Sequence, residues 1–343
     1  WISRMRMSWP GQAPGQTIRW ARFVSALMAA PDRPRLLVVL GLPQPAGCEL
    51  ERVLGLCGAP SVHHPTLLDQ HQRLQAQAGV SWQASRALPE RWLSSDAAQA
   101  FPATVVAPLA ELLPAAGIRV LQLPGLERLL PLWRQALADP ALDPAPELQA
   151  VLVLRHPLEV AEALRRSHGW SRDRALLVWL QSTLAAEAHS RGLARVVLEQ
   201  DQLIWDVDGA LDQLERGLQL QLPERSHDRL LQWEQQRPEP PALALPQREA
   251  APQGSPLLQL ALELHGWLQA EAQGRERPRL MPEVITQQLA WADALYGRTL
   301  AEEQQERQRQ QAELSQLKRR RLVRLSRWLH RDQDQLQRQD RAA

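Results

Sequence analysis

Four short runs of unbroken apolar residues constrain this chain more than anything else in it. They are "RLLVVL" (35–40), "IRVLQL" (118–123), "AVLVL" (150–154) and "ARVVLE" (194–199). Each has the length of a strand. None alternates apolar with polar residues, as a strand with one wet face would. A strand buried on both faces belongs in a sheet covered on both sides, and such sheets are parallel. Parallel neighbours need a crossover of about a dozen residues or more, usually a helix. The stretches between the runs supply it. Residues 66–78, 126–138 and 173–190 carry helical spacing, clearest where Ala175, Leu176, Trp179, Leu180 and Thr183 recur every three to four positions. Strands alternating with helices predict an α/β, doubly wound architecture.

Composition narrows the function classes. A length of 343 residues suits one large domain or two smaller ones. A net charge of +2, from 40 basic and 38 acidic residues, lacks the excess of a general nucleic-acid binder. The only lysine is Lys318, and 13 Trp stand against one Tyr, which reads as composition bias rather than function. Cys48 and Cys57 lie nine positions apart with no CxxC spacing, so neither a disulfide framework nor a metal site is expected. A reducing, cytoplasmic setting fits that cysteine usage. No apolar stretch approaches the roughly 20 residues of a membrane span. "FVSALMAAP" is too short and too late for a signal-peptide core.

Three regions follow along the chain. Residues 1–34 form an Arg- and Pro-containing N-terminal extension. Residues 35–273 hold the α/β pattern, interrupted by the Pro-rich 235–256 and closed by a helical segment at 256–273. From 282 to 338 the chain is rich in Gln, Glu and Arg. Leu314, Leu317, Leu325 and Trp328 give it a partial apolar seam, predicting a long polar helix, a candidate coiled coil. That helix is a candidate surface for a protein partner or for self-association. Its most basic stretch, 318–331, could lie on an anionic membrane surface. The preferred reading is a solvated helix end, where cations also suit the helix dipole.

The first apolar run leads into Gly41-Leu42-Pro43-Gln44-Pro45-Ala46-Gly47-Cys48 and then an amphipathic stretch with Leu50, Val53 and Leu54 at helical spacing. Strand, tight turn and helix aim backbone N–H groups and the positive helix end at an anion. The turn is neither GxxxxGK[ST] nor GxGxxG. An ordinary nucleotide triphosphatase is therefore rejected.

Three segments in order, "VVLGLPQPAGCELERVLGLCGAP", "VLQLPGLERLLPLWRQAL" and "VLVLRHPLEVAEALRRSHGWS", resemble the bacterial sulfotransferase family. The resemblance spans roughly residues 35–270. It implies a P-loop-like parallel sheet flanked by helices and the sulfate donor PAPS (3′-phosphoadenosine 5′-phosphosulfate). It also implies transfer of a sulfuryl group to a hydroxyl of a glycan or small molecule. The family's first motif, Gly-x-Pro-Arg-Ser-Gly-Thr-Thr/Ser, wraps the phosphosulfate. Gly41 and Pro43 match it, while Gln44 stands in place of Arg, Pro45 of Ser, Ala46 of Gly, and Gly47 and Cys48 of the hydroxyl pair. Its second motif, Lys-Asp-Pro-Arg, corresponds to Gln122-Leu123-Pro124-Gly125, where only the Pro remains. Its third places an Arg at a strand end and a Ser eight residues on, both on the donor's 3′-phosphate. Arg155 keeps the first role, and Ala163 stands at the Ser position, with Ser167 one turn further on.

No catalytic base is assigned. His63, His64 and His71 lie near the first helix, and a pair of adjacent His in a loop reads more readily as a solvated turn. Arg155 has two readings: a phosphate ligand, or a strand-end Arg paired with an acid such as Glu159. Two functions remain open accordingly. One is an active sulfotransferase. The other is a catalytically degenerate relative that keeps the fold as a binding or scaffolding module.

Overall fold

The computed structural model describes residues 33–42, 45–114, 116–236 and 255–294. Within them lie four strands: β1 (Arg35–Leu40), β2 (Ile118–Leu121), β3 (Glu147–Leu154) and β4 (Ala194–Glu199). All pair in parallel, in the order β2-β1-β3-β4. The α/β, parallel-sheet expectation holds, and each strand falls on one of the apolar runs. Among the described residues no helix is long and apolar enough to cross a membrane.

The ten helices described in the first unit follow in chain order. They are α1 (Pro45–Leu56), α2 (Pro65–Gln77), α3 (Asp96–Leu112), α4 (Leu126–Leu137), α5 (Pro157–His168), α6 (Arg172–Ser190), α7 (Gln200–Trp205), α8 (Val207–Leu218), α9 (His227–Gln236) and α10 (Pro256–Ala272). The strand side chains divide between two faces. Leu37, Val39, Val151 and Val196 join a core with Leu50 and Val53 of α1, Leu211 and Leu214 of α8, and Trp233 of α9. Leu36, Val38 and Leu40 point the other way and are equally buried. Burial on both faces is the reason the runs do not alternate.

Both sheet edges are covered. Beside β2, Val62 N–H donates to Val120 O at 2.7 Å, and Val120 N–H donates to Pro60 O at 3.1 Å. At β4, Gln213 of α8 donates to Val197 O and to Ala272 O of α10, each at 2.9 Å. The Arg195 guanidinium meets Glu271 of α10 at 3.0 Å. These contacts take up part of each outer ladder, so less of it is left for another chain to extend.

The chain separates into two compact units, Trp1–Met281 and Pro282–Ala343. In the second, residues 282–294 are helical. The rest of the predicted 282–338 helix, the basic stretch 318–331, residues 1–32 and most of the Pro-rich segment lie outside the described residues.

Buried polar groups pin the connections around α4. Arg128, 1% exposed, donates to the carbonyls of Arg86 and Ala84, both at 2.7 Å. Its neighbour Glu127 is fully buried and accepts from Ser182 Oγ at 2.6 Å. Burial raises the Glu127 carboxyl above its usual range. His71 of α2 is also fully buried. Its Nδ1 accepts from Trp133 Nε1 at 3.2 Å, so its Nε2–H donates to Pro124 O at 3.0 Å. That pattern requires neutral imidazole, and burial lowers its pKa to about 4.

The His71 geometry sets a pH dependence. The unfolded chain takes a proton on His71 near its ordinary 6.5, and the folded chain takes it only near 4. Stability from this group is therefore full above pH 6.5 and is lost as pH falls toward 4. Urea unfolding should show about 3 kcal/mol more loss over that window in the wild type than in His71→Gln. Parallel pH profiles for the two proteins would contradict it.

Candidate functional site

Strand order decides where a site can form. From β1 the chain crosses to β2 on one side and later returns as β3 on the other. The crossovers diverge at the carboxyl ends of β1 and β3, where open α/β sheets leave a crevice. A cleft does lie there. Its lining includes Leu40, Gly41 and Leu42 after β1, Leu154 and Arg155 after β3, Trp179 and Thr183 of α6, and Leu268 of α10. Its cavity measures about 40 Å³. Pockets for small-molecule ligands run about 300–1,000 Å³.

Of the candidate donor-binding residues, the fold brings Gly41 and Arg155 together in this cleft. Gly41 has φ +138, and a Cβ there would meet Val153 O at 3.1 Å, so the closeness of β1 to β3 demands glycine. Gln44 lies outside the described residues. Gly47 and Cys48 fall inside the first turn of α1 rather than in the turn before it. Helix α1 starts earlier than expected, at Pro45, because proline is favourable at a helix's first position, where its missing N–H bonds nothing in the helix. The same substitution leaves one fewer N–H for an anion.

Arg155 is held by its own chain. Its guanidinium pairs with Glu159, in the first turn of α5, at 3.5 Å, with side chains 12% and 1% exposed. Burial lowers the Arg155 pKa, while Glu159, Glu49 and Asp201 act against that. Its carbonyl accepts from Trp179 Nε1 at 3.2 Å. Glu49, on α1, is 5% exposed, and its Oε2 has no hydrogen-bond partner. Burial raises the Glu49 pKa, and Arg155 and Arg52 only partly offset this. Three carboxylates thus converge on the one cation that the family resemblance assigns to the donor.

The other motif positions have structural partners. Ser167 Oγ donates to Ala163 O of its own helix at 2.8 Å. Pro124 O accepts from His71 and from Gln75, and Gly125, at φ 78, is the N-cap of α4. His64 caps α2 by accepting from Thr66 N–H at 3.2 Å. His63 lies 2.9 Å from Glu51. None of the three histidines considered as a base is among the residues lining the cleft.

Sequence reasoning did not single out His156, His265, Glu49 or Asp201. His156 caps α5 beside Arg155, and its ring centroid lies 5.0 Å from that of His265 on α10. "RHP" holds His156 in plain view next to Arg155. Glu49, Asp201 and His265 come from three other helices, and no local pattern ties them to Arg155. Among the described residues no group of three or more His, Cys, Asp or Glu is placed to hold a metal ion.

No protein-family model and no curated protein matches the chain. Among solved structures it is similar to the sulfotransferase domain from the Synechococcus PCC 7002 olefin synthase. Identity is 18% and the TM-score 0.41, over 72% of this chain and 98% of that one. It is also similar to the sulfotransferase domain from the curacin biosynthetic pathway. There identity is 16% and the TM-score 0.39, over 76% and 99%.

The Glu49 environment has a measurable consequence. Its folded pKa is raised, so ionised Glu49 opposes folding at neutral and higher pH, and the penalty fades as pH falls through the raised value. Glu49→Gln should therefore be more stable than the wild type at pH 8. The gap should shrink toward pH 4, as read from denaturant midpoints. Destabilisation at pH 8 would instead show that attraction to Arg155 and Arg52 outweighs the burial cost.

Proposed function

We propose that this chain is a sulfotransferase-like protein whose donor cleft is closed by its own carboxylates, and that it serves as a binding or scaffolding module. The observation that carries this reading is the Arg155–Glu159 pair, with Glu49 and Asp201 bearing on the same guanidinium. PAPS would bring several negative charges to this point. At an effective dielectric of about 20, a further anionic charge about 6 Å from an ionised carboxylate costs about 3 kcal/mol. A charge-assisted hydrogen bond returns about 1.5–3 kcal/mol, and the first-motif Arg that would make another is Gln44 here. The long polar segment 282–338 is the proposed surface for partner binding or self-association.

A second reading has its own support. Gly41 and Arg155 share the crevice where an α/β sheet holds a ligand. An active protein would use Arg155 on the 3′-phosphate of PAPS and backbone groups of the 41–48 segment on the phosphosulfate. It would then transfer the sulfuryl group to a hydroxyl of a glycan or small molecule, mainly by positioning and charge stabilisation.

Calorimetry with PAP, the desulfonated donor, separates the two. The module reading expects no binding heat from the wild type at millimolar PAP. It expects measurable binding only when Glu49→Gln and Glu159→Gln are combined, which removes two of the three carboxylates bearing on Arg155. Micromolar binding by the wild type that disappears in Arg155→Ala would overturn the module reading in favour of the enzyme.

A further inference from the structure

A second depression lies away from the cleft and shares none of its lining residues. It is a groove of about 720 Å³ between the α7–α8 corner and α9. One wall is the corner itself. Helix α7 ends at Trp205, and Asp206 turns the chain by accepting from Gly209 N–H at 3.0 Å to cap α8. The floor is built by Ile204, Leu222 and Leu230, and α9 adds Leu231 and Glu234 as the far wall.

Two properties set this groove apart from an ordinary wet surface. Trp205 is 66% exposed and Leu231 is 40% exposed, so large apolar side chains face solvent from both walls. The charge is one-sided as well. Asp206, Asp208, Glu215 and Glu234 line the groove against Arg225 alone, an excess of three negative charges with His227 neutral. Arg225 is already committed. It pairs with Asp208, with Asp212 at 2.8 Å and with Glu215 at 2.6 Å, and is 15% exposed. One guanidinium shared among three carboxylates cannot neutralise them.

We infer that this groove docks a cationic peptide segment of a partner protein, one carrying a bulky aliphatic or aromatic side chain flanked by Arg or Lys. The apolar side chain fits between Trp205 and Leu231, and the cations meet Asp206 and Glu234 on opposite walls. Nucleic acid and anionic lipid surfaces are repelled by the same carboxylates. The volume lies within the range of sites that bury most of a small ligand. The inference stands whether or not the cleft at Arg155 takes a donor.

The test is fluorescence anisotropy on the full chain with a labelled Arg-Leu-Arg-Arg-Leu-Arg peptide. The comparison peptides replace each Leu by Ser or each Arg by Glu. Micromolar binding is expected for the first peptide, weakening with added salt. The Ser peptide should bind at least about tenfold more weakly and the Glu peptide not at all. Trp205→Ser should weaken the first peptide about tenfold. Glu234→Lys, at an exposed site that leaves the fold intact, should weaken it and flatten the salt dependence. The inference is overturned by no binding at millimolar peptide, by equal binding of the Leu and Ser peptides, or by unchanged affinity in Glu234→Lys.

Discussion

The pairing of β1 on both sides is the constraint on which the rest depends. Its neighbours are β2 and β3, and its side chains are buried on both faces. A strand in that position cannot be reached by a tight hairpin, because both neighbours run parallel to it. The crossovers must carry helices, and they leave in opposite directions. The opening between the ends of β1 and β3 is a consequence of that order. So is the meeting of Gly41 and Arg155, which are 114 positions apart in the chain. Glycine at 41 follows from the same crowding, since Val153 O leaves no room for a side chain.

Within that opening, electrostatics rather than topology decides the chemistry. An Arg at a strand end near a helix N-terminus is a ready phosphate ligand. Here the first turn of α5 supplies Glu159 instead, and α1 and α7 bring Glu49 and Asp201 to bear on the same charge. A buried pair of this kind adds little net stability, but removing one partner is costly because the other charge is stranded. An arriving anion would have to displace Glu159 and then leave that carboxylate buried without its cation. The cleft is also small, about 40 Å³, so a ligand would have to move side chains as well as charges.

How much of this was legible in the sequence follows from the range of each interaction. The strands were legible because burial on both faces writes an unbroken apolar run into the chain. The helices at 66–78, 126–138, 173–190 and 256–273 were legible because their faces repeat every three to four residues. The pairing of Arg155 with Glu159 was open to inspection because the two lie four residues apart, across the N-cap of α5. Helix α3 was harder to read. Pro102 and Pro108 sit inside it and mimic breakers, yet its turns close around Phe101, Val105 and Leu109 in the core. The start of α1 was misjudged because Pro45 reads as a loop residue until its place at the first helical position is known. Glu49 and Asp201 were invisible as Arg155 neighbours, since only the tertiary fold brings their helices to the end of β3.

The two depressions differ in what surrounds them. At the sheet's end, Arg155 is set among Glu159, Glu49 and Asp201. The connection before α4 has a packing role of its own. Gly125 is the N-cap of α4, and Pro124 O anchors His71 and Gln75. Away from that cleft, the α7–α8 corner holds Trp205 largely exposed, and Leu231 of α9 is exposed as well. Exposed apolar walls with a net negative charge around them are a poor arrangement for an isolated fold and a good one for an interface, where a cationic partner covers the first and neutralises the second.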